Sequence, residues 1–299
     1  MRVGLVLPIA DEDGADGAAP SYAEIRALAL AAEAGALDSL WVFDHLLFRS
    51  DGATTGIHEC WTILSALAEA TTRVQLGSVV MCTSFRNPAL LAKMAATLDH
   101  ISAGRLILGV GCGWHEPEYE AFGFPFDHRV GRFEEALSVI TGLIRDGRAD
   151  LDGRWVQARD AVLLPPARPD IPILIAAKRP RMLELTARHA DAWNLAWFGE
   201  PSERFDTVRS ALGDACVTVG RDPATLDITA GLTVRFPDRQ DPTTAPDTSP
   251  ALDGSVPGAI AAGLDAWQAI GTDHAIVALD PCDAETVPRF TAAVAAWRR

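Results

Sequence analysis

The chain has 299 residues, and its 26 Lys and Arg against 40 Asp and Glu give a formal net charge of −14 at pH 7. This acidic balance argues against binding to nucleic acid or to an anionic membrane surface, because phosphate contacts need clustered Lys and Arg. Hydrophobic residues make up 48% of the chain, which is enough for a packed core and argues against disorder.

The five cysteines form no CxxC pair, no metal-ligand spacing and no secreted disulfide framework. The apolar run at the N-terminus is too short for a signal peptide, and no apolar run is long enough to span a bilayer. We therefore expect a soluble protein of the reducing cytoplasm.

Short apolar runs alternate with amphipathic segments along the whole chain. The apolar runs predict eight strands, at residues 3–8, 39–43, 74–80, 106–110, 173–175, 192–195, 226–234 and 275–279. The amphipathic segments predict helices at residues 21–32, 61–70, 88–104, 133–144, 181–189, 203–212, 259–270 and 287–297.

Eight strand–helix units predict an α/β fold, a (β/α)8 TIM barrel formed by residues 1–299 as one domain. The strands are continuous apolar runs, as expected for parallel strands covered on both faces. A doubly wound sheet is the alternative, since it also alternates strand and helix, but the even count favours the barrel.

Insertions follow strands four and seven. Residues 111–129 are rich in aromatic side chains and His, and residues 237–257 are rich in Asp, Thr, Ser and Pro. We interpret residues 237–257 as a mobile loop insertion, either a plain solvated loop or a lid. Residues 146–168 are expected to form an irregular or hairpin connection before strand five.

In a barrel, chemistry is carried by residues at the C-terminal ends of the strands. Strand two ends in Asp44 and His45, and a His can exchange a proton near neutral pH. The alternatives are a helix cap for Asp44 and a structural role for His45. Zinc-binding barrel hydrolases commonly offer two His two residues apart on one strand; since this chain has no such pair, we predict no metal.

Glycines alternate at positions 109, 111 and 113 after strand four. They are not the dinucleotide-binding fingerprint, because Trp114 and its successors stand where the helix should begin. The glycines let either a flat ring or a neighbouring strand approach the backbone closely. We interpret Cys112 as a small residue in a crowded turn, because no base partner is identifiable for a nucleophile.

The turn after strand five predicts an anion site. Ala176, Ala177, Lys178 and Arg179 precede Pro180, which suits a first helical turn, and backbone N–H groups at a helix N-terminus bind phosphate. An exposed basic turn is the alternative.

Among the tryptophans, Trp193 is expected in the core, whereas Trp197 lies beyond a strand end and can reach a ligand. Surface positions in loops or on helices are expected for five histidines: His58, His100, His128, His189 and His274.

Several motifs occur together in one order: residues 38–46, 101–111, 113–119, 122–125 with Arg132, and 181–194. In these segments the chain resembles the luciferase-like flavin and deazaflavin oxidoreductases, which are TIM barrels. The resemblance runs from Arg2 to about Asn194 and continues more weakly to the end. Within that family, residues 41–46 and 113–119 resemble the branch that uses coenzyme F420.

The resemblance implies a cofactor across the mouth of the barrel, F420 or alternatively FMN, with its ring near Asp44 and His45. A non-proline cis peptide often supports the ring, and Val79–Val80 are the matching positions. The other implied cofactor-binding positions are Cys112, Gly113, Ala176, Ala177, Lys178, Arg179 and Asn194. Trp114 and Trp197 are assigned to the substrate pocket.

Two departures from the family pattern bear on function. The phosphate turn is usually rich in Gly, but here it carries Lys178 and Arg179. The F420-dependent sugar-phosphate dehydrogenases have a Trp four residues after the His and a Glu after the Gly-x-Gly, where this chain has Arg49 and Trp114. These differences argue against a sugar-phosphate substrate.

The leading hypothesis is therefore an F420-dependent oxidoreductase acting on a small organic substrate. His45 is assigned as the proton donor or acceptor, and Asp44 would orient either the ring or His45. The alternatives are an FMN-dependent monooxygenase supplied by a partner reductase, and a non-catalytic cofactor-binding barrel. Since family members are often dimers, the resemblance also allows a homodimer.

Overall fold

The computed structural model describes residues 1–11, 18–50, 52–240 and 247–299. Parallel strands form a closed barrel, in which each strand pairs with its neighbours along the chain and β1 pairs with β8 through Arg2 opposite His274. The eight barrel strands are β1 (Arg2–Val6), β2 (Ser39–Val42), β3 (Gln75–Ser78), β4 (Leu106–Gly111), β5 (Ile173–Ala176), β6 (Ala192–Phe198), β7 (Asp227–Arg235) and β8 (His274–Asp280). The predicted TIM barrel is confirmed.

Helices cover the outside of the barrel between its strands. They are α1 (Tyr22–Ala34), α2 (Cys60–Ala70), α3 (Pro88–Ile101), α4 (Glu116–Phe122), α5 (Arg129–Asp146), α6 (Pro180–His189), α7 (Glu203–Val219), α8 (Ala259–Ala269) and α9 (Thr286–Trp297). Ser21 caps α1 in a capping box with Glu24, and Asn87 caps α3 just before Pro88. No helix within the described ranges is long and apolar enough to cross a membrane.

The connections differ more from prediction than the barrel does. An antiparallel hairpin of Leu47–Ser50 and Ala53–Gly56 follows β2 and was not predicted. Helix α4 lies inside residues 111–129, the insertion predicted after strand four, for which no helix was predicted. The hairpin expected before β5 is present as Arg148–Asp152 and Gln157–Val162. Of the predicted mobile segment 237–257, residues 241–246 lie outside the described residues.

The barrel interior is a separate apolar layer, consisting of Val6, Trp41, Ile107, Leu174, Ala192 and Ile276. At the N-terminal end of the strands lies a buried polar chain. The Trp41 indole N–H donates to the Ser39 hydroxyl at 2.7 Å, and the Ser39 hydroxyl lies 2.7 Å from Nε2 of His274. Because an indole only donates, the Ser39 hydroxyl accepts from Trp41, and the same hydroxyl is hydrogen-bonded to the His274 ring.

The prediction of a surface role for His274 was wrong, because its side chain begins β8 and is only 1% exposed. Burial, together with the charges of Arg2 and the N-terminus, lowers the pKa of His274 from 6.5 to about 3. The unfolded chain therefore binds a proton here that the folded protein does not, and stability falls as pH drops below 6.5.

We expect this site alone to remove about 1.5 kcal/mol of unfolding free energy between pH 6.5 and about pH 5. The measurement is urea denaturation at several pH values for the wild type and His274→Gln, which keeps an amide acceptor but cannot titrate. Acidic groups titrate equally in both proteins, so the difference between the two curves isolates His274. Parallel curves would contradict the assignment.

Candidate active site

His45 lies just beyond β2, at the end of the barrel where the strands terminate, and a buried carboxylate holds it. Its Nδ1 lies 2.9 Å from Oε1 of Glu118, and Oε2 of Glu118 accepts the Leu46 backbone N–H at 2.8 Å. The Glu118 side chain is 1% exposed and that of His45 is 15% exposed. A carboxylate accepts, so the Nδ1 proton faces Glu118 and Nε2 is left for a ligand.

The His45 ring is surrounded by aromatic side chains, which we call the aromatic wall: Phe43, Phe48 and Trp114. Their ring centroids lie 6.3, 4.4 and 5.5 Å from that of His45. Phe48 comes from the hairpin after β2, and Trp114 from the connection between β4 and α4. Nε2 of His45 is thus available among aromatic rings, with the His115 ring also 6.5 Å from that of His45.

Asp44 has a different partner from the one expected. Both of its carboxylate oxygens accept from the Arg86 guanidinium, at 2.6 and 3.0 Å, and Oδ2 also accepts the Cys82 backbone N–H at 2.8 Å. Glu118, not Asp44, orients His45, which corrects that part of the prediction. Asp44 instead fixes the segment just after Val79–Val80, and its contact with a cofactor ring stays a prediction.

Asp44 and Arg86 form a buried ion pair, with side chains 1% and 11% exposed. Burial raises the pKa of Asp44 although Arg86 opposes this effect. Burial by itself would lower the pKa of Arg86. The negative charges of Asp44 and Glu59 have a larger effect, so the pKa of Arg86 is raised. Removing one partner would leave the charge of the other buried without a counter-charge.

We expect Arg86→Met to lower the unfolding free energy by about 3–5 kcal/mol, because Asp44 would remain buried without its cation. Adding Asp44→Asn should recover part of that loss, since the amide needs no counter-charge. Urea denaturation of the two single variants and the double variant measures both effects. A loss below about 1 kcal/mol for Arg86→Met would show that the pair is not essential to this corner of the barrel.

Small apolar groups line the mouth beside His45. The Val79–Val80 peptide bond is cis, as the resemblance implies, and both side chains are half-buried against the inner layer. The glycines of β4 allow this packing, because a Cβ at Gly109 would lie 1.8 Å from the Ser78 carbonyl oxygen. Close packing of neighbouring strands thus accounts for a glycine at position 109.

The turn after β4 is tightly packed. Gly113 has a φ of +69°, and a Cβ there would lie 1.9 Å from the Tyr119 hydroxyl oxygen, which donates to the Cys112 carbonyl at 3.0 Å. Burial raises the pKa of the Cys112 thiol, with Arg129 opposing the effect. A protonated thiol agrees with the interpretation of Cys112 as a packing residue.

Arg129, the first residue of α5, is a cation beside this turn that the sequence analysis missed. Its Nη1 donates to the Gly113 carbonyl at 3.0 Å, and its guanidinium lies 4.0 Å from the Phe126 ring centroid. Within the described ranges it forms no ion pair, so its charge is available to an anion.

The turn after β5 has the features of an anion site. Helix α6 begins at Pro180, and no side chain caps its N-terminus. The side chains of Lys178 and Arg179 are exposed and form no ion pair with any described carboxylate. Ala176 lies on the same strand face as the inward-facing Leu174, and Ala177 donates its N–H to the Asn194 carbonyl at 3.3 Å.

Strand β6 contributes the last two predicted site residues. Asn194 is 2% exposed and donates to the Thr229 hydroxyl at 2.8 Å, which fixes its amide. Trp197 is 41% exposed near the end of the strand, whereas Trp193 is fully buried as expected. The predicted site residues therefore meet at one end of the barrel, although their contacts with a cofactor stay predictions.

Glu118, Arg86 and Arg129 were absent from the predicted site. Pro117 in a first helical turn and Gly123 as a left-handed C-cap are local signals of a short helix. Predicting that helix would have placed Glu118 on it. No local pattern signals Arg86, since its partner Asp44 is 42 residues away.

Comparison with known proteins agrees with this architecture. Residues 1–244 match the model of the luciferase-like monooxygenase family. By structure, the chain is similar to an F420-dependent secondary alcohol dehydrogenase in complex with an F420–acetone adduct, with a TM-score of 0.80, 18% identity and coverage of 100% of this chain and 99% of that one. At 18% identity, this similarity is evidence for a shared fold alone.

Two sequence relatives represent different reactions. The chain is 38% identical over 239 residues to a phthiodiolone/phenolphthiodiolone dimycocerosates ketoreductase from Mycobacterium sp. (strain JLS), covering 72% of this chain and 62% of that protein, a little under two thirds of its length. It is 32% identical over 205 residues to the pyrimidine monooxygenase RutA of Methylorubrum extorquens, covering 64% and 56%.

Proposed function

The chain belongs to the luciferase-like monooxygenase family, and from this premise we propose that it transfers a hydride between coenzyme F420 and a small organic substrate. One observation carries the proposal: His45 is locked through Nδ1 to a buried carboxylate and leaves Nε2 free at the barrel mouth. Such a base suits a reaction that moves one proton along with a hydride.

The residues at the mouth fit a flat cofactor with a phosphate. Val79–Val80, Cys112 and Gly113 would lie against the ring system, and Asn194 would contact it from β6. The uncapped first turn of α6, with Lys178 and Arg179, offers N–H groups and positive charge to a phosphate. Arg129 would add a third cation, near Cys112.

When bound, the deazaflavin supplies or accepts the hydride. The chain's own residues do the rest. His45 gives a proton from Nε2 to the substrate oxygen or takes one from it, and Glu118 keeps the Nδ1 proton in place throughout. Asp44, held by Arg86, fixes the backbone of Cys82 and so the segment that follows Val79–Val80.

Similarity to the ketoreductase supports hydride transfer, whereas similarity to RutA favours a second candidate, an FMN-dependent monooxygenase. Equilibrium titration of the purified protein with F420 and with FMN, followed by cofactor fluorescence, separates them. We expect F420 to bind at least about tenfold more tightly, a difference of about 1.4 kcal/mol. Tight FMN binding with oxygen consumption on reduced FMN would replace the proposal, and binding of neither cofactor would refute both.

The basic turn gives a second test of the same site. We expect the double variant Lys178→Ala, Arg179→Ala to weaken F420 binding by roughly tenfold and to reduce its dependence on salt concentration, because two phosphate-facing charges are lost. The matched control is Arg188→Ala, which removes a cation from the other end of α6. Unchanged affinity in the double variant would place the phosphate elsewhere.

A further inference from the structure

A buried tyrosine hydroxyl lies between the two segments that would line the cofactor ring. The Tyr119 O–H donates to the Cys112 carbonyl at 3.0 Å, and Sγ of Cys82 lies 2.9 Å from the same hydroxyl oxygen. A carbonyl only accepts, so the single phenolic proton lies toward Cys112 and the Cys82 thiol donates to Tyr119. The three groups form one hydrogen-bonded chain from the segment after β3 to the turn after β4.

This chain joins two segments where their strand pairing ends. Cys82 lies opposite Gly111 in the last pair of the parallel register between the segment after β3 and β4. Its backbone N–H is fixed separately by Asp44, at 2.8 Å. Cys112 directly follows Gly111. The Tyr119 hydroxyl therefore fixes the distance between the two segments just beyond the backbone ladder that aligns them.

The packing around the hydroxyl leaves it one position. Tyr119 is fully buried, and its ring centroid lies 5.0 Å from that of Phe85 and 5.1 Å from that of Phe126. A Cβ at Gly113 would lie 1.9 Å from the Tyr119 hydroxyl oxygen and 2.7 Å from Sγ of Cys82. Burial raises the pKa of Cys82 to about 12 and also raises the pKa of Tyr119, so both groups keep their protons.

The helix that carries this tyrosine also carries the residue that orients His45. Glu118 directly precedes Tyr119 in α4, and its carboxylate lies 2.9 Å from Nδ1 of His45. Successive side chains of a helix point about 100° apart, so the two residues reach different parts of the mouth. Glu118 contacts the residues after β2, and Tyr119 contacts the residues after β3 and β4. One short helix thus holds three consecutive strand ends.

From this geometry we infer that Tyr119 is a positioning residue for the cofactor ring. Its hydroxyl holds the segment after Val79–Val80 and the turn of Cys112 and Gly113 at the spacing that the ring would meet. The inference rests on the proposed binding of F420 at the mouth and adds a residue that prepares the site before the cofactor arrives. Such preorganisation lowers the ordering cost of binding.

The test is Tyr119→Phe, which keeps the ring and removes the hydroxyl. We expect its affinity for F420 to fall about tenfold, because the Cys112 carbonyl loses a buried donor and the two segments are no longer tied. The salt dependence of affinity should stay as in the wild type, because Lys178 and Arg179 are unchanged. Fluorescence titration gives the affinity and the number of sites, and urea denaturation gives the stability. A merely structural role would lower stability or the number of sites, with normal affinity in the folded fraction.

Tyr22→Phe is the matched control, because the chain has two tyrosines and the Tyr22 hydroxyl also donates to a backbone carbonyl, that of Ala66 at 3.2 Å. Tyr22 is 39% exposed on α1, and its variant should bind F420 like the wild type. A second variant, Cys82→Ala, removes the thiol and keeps the bond from Tyr119 to Cys112. It should weaken binding two- to fourfold, roughly the effect of one weak hydrogen bond, and it decides the question if Tyr119→Phe does not fold.

The outcomes separate this inference from the proposed function. Wild-type affinity for F420 in the folded Tyr119→Phe variant would overturn the positioning role and leave hydride transfer standing. A weaker salt dependence in that variant would also overturn it, since the effect would then lie at the phosphate. If the wild type binds FMN instead of F420, hydride transfer fails, and a tenfold loss of FMN affinity in Tyr119→Phe would still support the positioning role. Binding of neither cofactor by the wild type would refute both.

Discussion

Replacing His45 with alanine is expected to lower kcat by about 10²–10⁴-fold, the usual contribution of a positioned general acid or base. The structural reason is that Nε2 of His45 is the free end of a ring whose other nitrogen is fixed by Glu118. Alanine removes the proton carrier and leaves the basic turn after β5 untouched. Affinity for F420 should therefore change by less than about threefold.

Both quantities are measured on one preparation, turnover with a ketone substrate and affinity by fluorescence titration. His100→Ala serves as the control, because it removes an exposed histidine from the end of α3. If His45→Ala keeps wild-type turnover, His45 has no part in the proton step. If affinity falls as far as turnover, His45 acts mainly by binding the cofactor.

The barrel itself was predictable because each of its strands is a local signal. Residues 106–110 form a continuous apolar run, and the observed strand β4, Leu106–Gly111, extends it by one residue. Strands buried on both faces need apolar side chains at every position, so their runs stand out from the amphipathic helices between them. His45 and Arg179 follow the C-terminal ends of two of those runs, which is why they could be predicted as site residues.

The hairpin after β2 could not be found in this way. Leu47–Ser50 and Ala53–Gly56 are short, exposed or half-buried except at Leu47, and not apolar enough to be predicted as strands. Tertiary contacts hold them instead, including the hydrogen bond from the Arg49 N–H to His115, 66 residues away. A pattern within a short window carries no information about such a partner.

The roles of buried polar residues were also not predicted from the sequence. His274 looks like an exposed histidine in the sequence, yet its ring is hydrogen-bonded to Ser39 inside the barrel, 235 residues away. Glu118 lies in a motif shared with the family, but its buried contact with His45 depends on how α4 packs against the hairpin. Because their roles depend on long-range contacts, only the folded structure identifies their partners.

Glu118→Gln is expected to lower kcat by about 10²–10³-fold without unfolding the protein. Glutamine has nearly the same shape, and its oxygen can still accept the Leu46 N–H. Its amide, however, donates toward Nδ1 of His45, which favours the tautomer with the proton on Nε2. Loss of an orienting carboxylate beside a catalytic His is severe in enzymes whose base must have one tautomer.

A purely structural role for Glu118 would lower stability or F420 affinity together with kcat, so the free energy of unfolding, F420 affinity and kcat are measured together. We expect Glu118→Gln to lower kcat while the other two quantities stay close to wild type. Glu116→Gln is the matched control, since it makes the same charge change at an exposed position of the same helix. A loss of kcat matched by a loss of F420 affinity or of stability would reduce Glu118 to a support for the hairpin. A lowered kcat alone, with Glu118→Asp recovering part of the rate, would establish that the carboxylate acts by orienting His45.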